Sequence, residues 1–584
     1  MQRSSRVIAL ALPVLWSCAS DRVTAAEPPA ESPADVAPVA QGASIVAAVE
    51  HTGAGFPKPV FPAFADLPVH SLLPDPFRFF DGSAVPLTLD GWSRKRSDLK
   101  ASIENFEIGP KPDPSDVDVT ATYTATNATA GTLRVVVTRK SNGRSLTLTS
   151  AIAVPAGATG AIPAVIGMNS PSGGLPADIF TSRNIARITY SHNNVTTYFG
   201  KSAANPYYQM YPEYSATGAT GQYSAWSWGV SRLIDGLQIV ASQPDSPLPI
   251  DVSHLAVTGC SYAGKMALFA GALDERIALT IAQESGGGGA PAWRMSHALE
   301  PNGWVEKTDN TDGNWFMQNL KSQFRADSVY KLPHDHHELM AMVAPRALLA
   351  TGNTDFEWLS NEANYVTSRA THEVYKTLGV GDRFGFYIDG SHGHCAIPAS
   401  QRPAIEAFVD KFLLGRDANT DIQVHPFGAL DYGHWMPWAD RGRTVQQITM
   451  DVQPGQISVG TTAVVNVVLF GAADFDAAAV DAANVRLVVN GGMNDQPPRE
   501  SGRPAVIVPP VAPIMRGASA NSSLADVNGD GRMDRIIGFS TSSLAAAGYL
   551  PGYHTLTLRP AGSTYAWQAH DVTGNAVTRP TVVP

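Results

Sequence analysis

The chain has 584 residues, 44% hydrophobic and 16% charged, enough to bury a large core and, at this length, to build more than one domain. A formal net charge of −10, with no Lys/Arg-rich run, excludes nucleic acid and anionic membrane surfaces as natural partners. A neutral or polymeric partner fits this balance better.

Residues 1–26 have the form of an export signal: Arg3 and Arg6, an apolar run from Val7 to Trp16, then Thr24, Ala25 and Ala26 as a cleavage site. The run is too short to span a bilayer, and no later segment reaches the ~18 apolar residues that a transmembrane helix needs. A secreted or periplasmic protein is expected; the alternative is an outer-membrane lipoprotein anchored through Cys18, against which the bulky Trp16 speaks. Residues 27–50, rich in Ala, Pro and Glu, predict a disordered tether.

Residues 51–418 carry the pattern of an α/β domain. From Asp118 to Ile166 apolar and polar residues alternate, as in VDVTATYTAT and TLRVVVTRK, which predicts half-buried antiparallel strands opening a mixed sheet. Pro163 to Asn169 reads as a buried strand running into a functional loop, and Ser224 to Ala241 has helical periodicity. Buried strands follow at His254–Thr258, Ala278–Ala282, Arg346–Ala350 and Phe384–Ile388, separated by helical stretches. Such alternation predicts a three-layer α/β sandwich of hydrolase type with a mostly parallel sheet. Residues 419–444 read as a linker. Residues 445–584 lose helical patterning and predict an all-β sandwich, with a Pro-rich loop at 496–513.

The chemistry concentrates in VTGCSYAGKMAL. Ser261 lies between a buried strand and a helix, with Gly259 two residues before it and Ala263 two after, the small residues that a nucleophile elbow requires. That turn exposes the hydroxyl at the sheet edge and aims the N–H groups of the following helix at an oxyanion. A serine needs a histidine to take its proton and an acid to hold the histidine. His394 follows the strand FGFYI, and two acids compete, Glu284 after ALTIA and Asp355 after RALLA. With the signal removed, Cys260 and Cys395 form an even pair, to be read as one disulfide or as two buried thiols. If Ser261 and His394 meet, their cysteine neighbours come within the roughly 7 Å between Cα atoms that a bridge demands, and this favours His394 over His392.

At these residues the chain resembles the glucuronoyl esterases, which cleave the ester between glucuronic acid on xylan and lignin alcohols. The resemblance runs from about Leu73 to Leu414. It is carried by LPDPF at 73–77, DGWSRKRSDL at 90–99, YSAWSWGVSRLIDGL at 223–237, GCSYAGKMA at 259–267, QESGGGGAPAWR at 283–294, LPHDHHELMAMVAPR at 332–346 and HGHC at 392–395. It implies Ser261 as nucleophile, His394 as base, Glu284 as the acid with Asp355 as the later alternative, and a Cys260–Cys395 disulfide. It further implies that Lys265 hydrogen-bonds sugar hydroxyls, that Trp358 lines the uronate pocket, and, more loosely, that Asp312 makes a polar sugar contact. The implied partner is a glucuronoxylan or lignin–carbohydrate ester, met by a monomer with no cofactor for catalysis. One departure stands out: Tyr262 follows the serine where the family usually has an arginine on the oxyanion. That leaves room for two other readings, another carbohydrate esterase such as an acetyl xylan esterase, or a catalytically impaired polysaccharide-binding homologue.

Two further stretches suggest metal. His334-Asp335-His336-His337-Glu338 lacks the HExxH spacing that puts two imidazoles on one helical face, and is expected to be structural. Asp526, Asn528, Asp530, Arg532 and Asp534 occupy positions 1, 3, 5, 7 and 9 of a DxNxDGxxD loop with Gly531 at the sharp turn, which predicts a structural Ca²⁺. Ile537 at position 12 excludes a full EF-hand.

Overall fold

The computed structural model describes residues 46–50, 55–198, 200–216, 218–243, 246, 248–299, 305–428, 430, 432–439, 446–453, 456–457, 464–472, 475–490, 512–513, 515–516, 519–546, 552–560 and 567–575. The expected signal, most of the tether and nearly all of the Pro-rich loop lie outside the described residues. The last five tether residues are fastened down. Glu50 pairs with Lys111 and Arg232, two cations that are themselves almost fully buried and need a counter-charge. Ala47 N–H also donates to Glu275 O at 3.1 Å.

A ten-stranded sheet organises the first part of the chain. Its strands are β1 (Val117–Asn127), β2 (Ala130–Arg139), β3 (Ser145–Ala153), β4 (Ile162–Met168), β5 (Ala186–Tyr190), β6 (Ile250–Cys260), β7 (Ile277–Gln283), β8 (Ala347–Asn353), β9 (Phe384–Asp389) and β10 (Gln423–Val424). They lie in the order β1-β2-β3-β5-β4-β6-β7-β8-β9-β10. The first three and the β3–β5 join are antiparallel, and every pairing from β5 to β10 is parallel. The alternating sequence of β2 gives alternating burial because its other face meets solvent. β7 and β8 are buried at every residue because helices cover both faces, which is why they read as unbroken apolar runs. Among the helices are α1 (Leu89–Phe106), α2 (Gln222–Ala241), α3 (Tyr262–Leu273), α4 (Asn361–Thr377) and α5 (Arg402–Leu414).

Two elements differ from expectation. β5 is an extra strand between the first buried strand and α2; ARITY is short and carries no turn signal of its own. The stretch expected to be a linker contains β10, which adds to β9 in parallel, and Met436 is buried in the apolar core around the ten-stranded sheet. Trp438 Nε1 donates to Leu73 O at 3.1 Å, and Leu73 N–H donates to Trp435 O at 3.0 Å. Trp435, Met436 and Trp438, three aromatic or thioether side chains in four residues, have too much apolar surface to remain a solvated connector.

Beyond residue 445 the described segments form a largely antiparallel sheet. Its order is Val485–Asn490, Gly552–Pro560, Trp567–Asn575, Gln446–Gln453, Val464–Leu469, Asp534–Ser540 and Ser522–Ala525. It has its own apolar core, including Val452, Val465, Val467, Leu487, Ile537, Phe539, Leu556 and Leu558. No described helix is long and apolar enough to cross a membrane.

Candidate active site

Ser261 caps α3 at the C-terminal end of β6 with φ 62° and ψ −129°. A non-glycine residue held there costs on the order of 1–3 kcal/mol and persists only because its surroundings fix it. Here the fixing is visible. Ser261 N–H donates to Gln283 O on β7 at 3.0 Å, and Ser261 O accepts from Gly264 and Lys265 N–H as the first turn of α3. A Cβ on Gly259 would stand 2.2 Å from Ala263 O, so the small residues around the serine are a steric requirement of the turn.

The disulfide Cys260–Cys395 joins the elbow to the loop after β9, with the two Cα atoms 5.7 Å apart. A ring nitrogen of His394 lies within 4.8 Å of both bridged sulfurs. That trio has the makings of a metal cluster, but sulfurs joined to each other supply no thiolate. His394 Nδ1 sits 2.7 Å from Glu284 Oε2, and the same oxygen accepts from Cys395 N–H at 3.0 Å. Glu284 is fully buried at the end of β7 and adopts φ 42°, a second strained residue at this edge. An acceptor on Nδ1 fixes the imidazole in the tautomer that leaves Nε2 free to take a proton.

Asp355 does not reach His394. It accepts the backbone N–H of His392 at 3.0 Å, and so shapes the loop that carries the base. His392 is turned inward, its Nδ1 3.1 Å from Asn353 Nδ2 and its Nε2 3.3 Å from Asp389 Oδ1.

Ser261 opens into a cavity of about 750 Å³ that is also lined by Tyr198, Lys265, Glu306, Asp312, Trp315 and Trp358. Lys265 and Trp358 are therefore brought to the serine, with Asp312 at the rim. Lys265 is almost completely buried. Its ammonium is 2.9 Å from Glu306 Oε2 and 5.1 Å from the Trp315 ring centre. Glu306 Oε1 accepts from Thr311 Oγ1 at 2.9 Å. Trp358 meets the His394 ring edge to face at 4.9 Å, and its carbonyl accepts from Glu306 N–H at 3.0 Å. Asp312 is engaged locally, accepting from Asn314 N–H at 2.8 Å and Asn314 Nδ2 at 2.9 Å. The sequence reading missed Glu306; the signal for it was Lys265 itself, because a lysine on the inner face of a helix demands an acid nearby.

Tyr262 points its phenol away from this cavity. Asn169 Nδ2 donates to its hydroxyl at 3.1 Å, its ring meets Tyr198 edge to face at 4.6 Å, and burial raises its pKa, so it stays a neutral group. What Tyr262 offers toward Ser261 is its backbone N–H at the start of α3.

The two stretches suspected of holding metal differ. Glu107 engages His334 Nε2 and His336 Nε2, each at 2.8 Å, while His337 Nε2 is paired with Pro74 O at 2.9 Å. The imidazoles are thus parts of a buried hydrogen-bond network. In the loop 526–534, Asp526 accepts the N–H groups of Gly529, Asp530 and Gly531, and Asp534 accepts those of Val527 and Gly471. Gly529 and Gly531 take φ 77° and 83° to make the curl. Asp526 Oδ1 carries two of these bonds, but Asp526 Oδ2 and both oxygens of Asp534 carry one each and retain a lone pair, so the residues present fit a hard cation.

Comparison with known proteins supplies context. The family model described as "Glucuronyl esterase, fungi" matches residues 137–379. A 4-O-methyl-glucuronoyl methylesterase of Phanerochaete chrysosporium is 38% identical over 382 residues, which is 63% of this chain and 76% of that protein. The glucuronoyl esterase catalytic domain from Hypocrea jecorina superposes with a TM-score of 0.57 at 34% identity, covering 64% of this chain and 98% of the domain. A Sporotrichum thermophile glucuronoyl esterase, solved as a serine-to-alanine mutant with methyl 4-O-methyl-β-D-glucopyranuronate, gives 0.57 at 31% identity, covering 64% and 96%.

Proposed function

As the chain belongs to the glucuronoyl esterase family, we propose that it hydrolyses esters of 4-O-methyl-glucuronic acid with Ser261 as nucleophile, His394 as base and Glu284 as the acid that orients it. The enzyme is a carboxylic ester hydrolase of the glucuronoyl type. The observation that carries the residue assignment is the 2.7 Å contact between His394 Nδ1 and buried Glu284, tied by disulfide to a strained serine elbow.

In the reaction, Ser261 Oγ bonds to the ester carbonyl carbon and its proton passes to His394 Nε2. The carbonyl oxygen becomes an oxyanion facing the Tyr262 N–H, a type of donor worth about 10²–10³ in rate. His394 then hands its proton to the alcohol oxygen as that C–O bond breaks. A water, deprotonated by the same imidazole, attacks the acyl-enzyme and releases the uronic acid. Lys265 and Glu306, held as a pair beside the serine, donate to and accept from the sugar hydroxyls, and Trp358 forms an apolar wall for the ring.

The decisive experiment is Ser261→Ala assayed on methyl 4-O-methyl-glucuronate: turnover should vanish while the folded signal remains, and retained turnover refutes the assignment. Acetylated xylan run in parallel tests the other carbohydrate esterase reading, which rests on Tyr262. The remaining readings are that residues 1–26 direct export, that the enzyme is a monomer, and that the C-terminal sheet is a sandwich module whose loop 526–534 takes Ca²⁺. Asp526, Asn528, Asp530 and Asp534 would hold the ion through side-chain oxygens and Arg532 through its carbonyl, stiffening the curl. Adding EGTA should lower the melting temperature of that module and Ca²⁺ should restore it; no shift overturns the calcium reading.

A further inference from the structure

Glu284 uses only half of its carboxylate in the mechanism. Oε2 carries His394 Nδ1 and the Cys395 N–H, while Oε1 is buried with no hydrogen-bond partner. Facing that bare oxygen at 3.8 Å is Nδ1 of His392, the first histidine of the HGHC stretch, whose side chain is almost fully buried. On its other side, His392 Nε2 lies 3.3 Å from Asp389 Oδ1, and Asp389 is fixed in turn by Gln401 Nε2 at 2.6 Å and Ser400 Oγ at 2.5 Å. A carboxylate only accepts, so in the neutral ring Nε2 bears the hydrogen and Nδ1 the lone pair. Asn353 Nδ2 offers that lone pair a donor at 3.1 Å. The same nitrogen also has acceptors beside it, Gly393 O at 3.2 Å and Glu284 Oε1. Nδ1 is thus provided for both with and without a proton, as a group that changes charge in place requires.

We propose that His392 is a positioning residue that competes with His394 for Glu284, so that one carboxylate serves two imidazoles, one at each oxygen. The inference rests on the Glu284–His394 assignment above and adds to it how pH sets the strength of that contact. In the neutral ring, Nδ1 accepts from Asn353 and the charge of Glu284 is left to His394. Histidine changes charge between about pH 5 and 8. Once protonated, Nδ1 turns a hydrogen and a positive charge toward Oε1. The Asn353 amide, 3.5 Å from Glu284 Oε2, is then released toward the oxygen that holds His394. Both changes draw negative charge away from His394 and weaken it as a base. The charged groups around the ring are Glu284 at the end of β7, Asp389 at the end of β9, Asp355 in the loop after β8 and His394 on its own loop. Asp355 Oδ2 accepts the His392 N–H at 3.0 Å, and Asn353 and Gln401 are neutral. Among the described residues no lysine or arginine pairs with these three carboxylates, so the imidazoles are the cluster's own source of positive charge. The two histidines therefore titrate as a coupled pair.

The test is the pH profile of kcat/KM on methyl 4-O-methyl-glucuronate for the wild type and His392→Asn, whose amide oxygen can accept from Asn353 in place of Nδ1. The acid limb of the wild type should be steeper than first order, because both imidazoles must lose a proton for full activity. His392→Asn should give a first-order limb and, above about pH 8, stay within about tenfold of the wild type, the worth of one hydrogen bond. A first-order limb in the wild type, or a limb that the substitution leaves unchanged, overturns the competition. Histidine titrations followed by NMR through labelled Cε1 read the same competition without turnover. In Glu284→Gln both His392 and His394 should titrate about 1–3 pH units lower than in the wild type, and in His392→Asn His394 should titrate higher. A shift confined to His394 in Glu284→Gln, or an unmoved His394 in His392→Asn, overturns it equally. Failure of the wild type on every glucuronate ester would sink the uronate reading instead, while the NMR titrations would still decide whether the two histidines share the acid.

Discussion

Replacing Glu284 with glutamine keeps the side chain's size and deletes its charge, which isolates what the acid does for His394. The imidazolium formed during acylation faces Glu284 Oε2 across 2.7 Å. With charge centres ~4 Å apart and an effective dielectric of about 20, the pair is worth about 4 kcal/mol. At ~1.4 kcal/mol per factor of ten, Glu284→Gln should lower kcat about 10³-fold, and about 10⁴-fold if the new amide also reverses the tautomer. The Cys395 N–H keeps an acceptor in the amide oxygen, so the loop should stay in place and KM should change little. Asp355→Asn is the matched control. Asp355 holds the N–H of His392 at 3.0 Å and never touches His394, so its loss should weaken the loop and reduce kcat by no more than about tenfold. Both variants are to be assayed on methyl 4-O-methyl-glucuronate. A larger fall for Asp355→Asn than for Glu284→Gln would refute the reasoning and return the orthodox late acid to the mechanism.

Cys260→Ser with Cys395→Ser opens a loop of sequence separation 135, for which the chain-entropy model sets a ceiling of about 5 kcal/mol of stability. The fold should survive at 25 °C with a lower melting temperature, and kcat should fall more than KM rises, because the bridge joins the residues beside Ser261 and His394. Glu306→Gln should raise KM for uronate esters more than it lowers kcat, since it removes a sugar-facing acceptor and the counter-charge of buried Lys265; kinetics on methyl glucuronate separate the two effects. The Glu107 network predicts a pH signature. Burial opposes the charge on Glu107, yet His336 and His334 outweigh it and hold the carboxyl well below its ordinary 4.5. Its contribution is therefore complete above about pH 4.5 and lost as pH falls. For His336, burial is outweighed by Glu107 and the pKa rises above 6.5, so its contribution is present below 6.5 and lost as pH climbs through the raised value. The melting-temperature gap between wild type and Glu107→Gln should be widest from about pH 4.5 to 6.5 and narrow on both sides, and a gap independent of pH would refute the charged pair.

How much of this could be read from the chain depends on whether a local constraint or a distant neighbour imposes it. Gly259, Ser261 and Ala263 were legible because the turn that bears the serine tolerates nothing larger, and β7, β8 and the second half of β6 because full burial leaves unbroken apolar runs. The choice between Glu284 and Asp355 was not, because both acids end strands that are neighbours in the sheet. Only the path of the loop after β9 decides which one the imidazole meets. Glu306 and Glu107 had no local pattern at all: each is defined by a buried cation or imidazole far along the chain that requires it. Tyr262 shows the limit most sharply. Its identity alone suggested a weakened oxyanion site, a loss measured against an arginine in the same position. Its direction, set by Asn169 and Tyr198, gives it a different consequence. Its phenol, bonded to Asn169 and packed on Tyr198, lines an adjoining cavity, so what the residue brings to the serine is the backbone N–H that any residue in its place would supply.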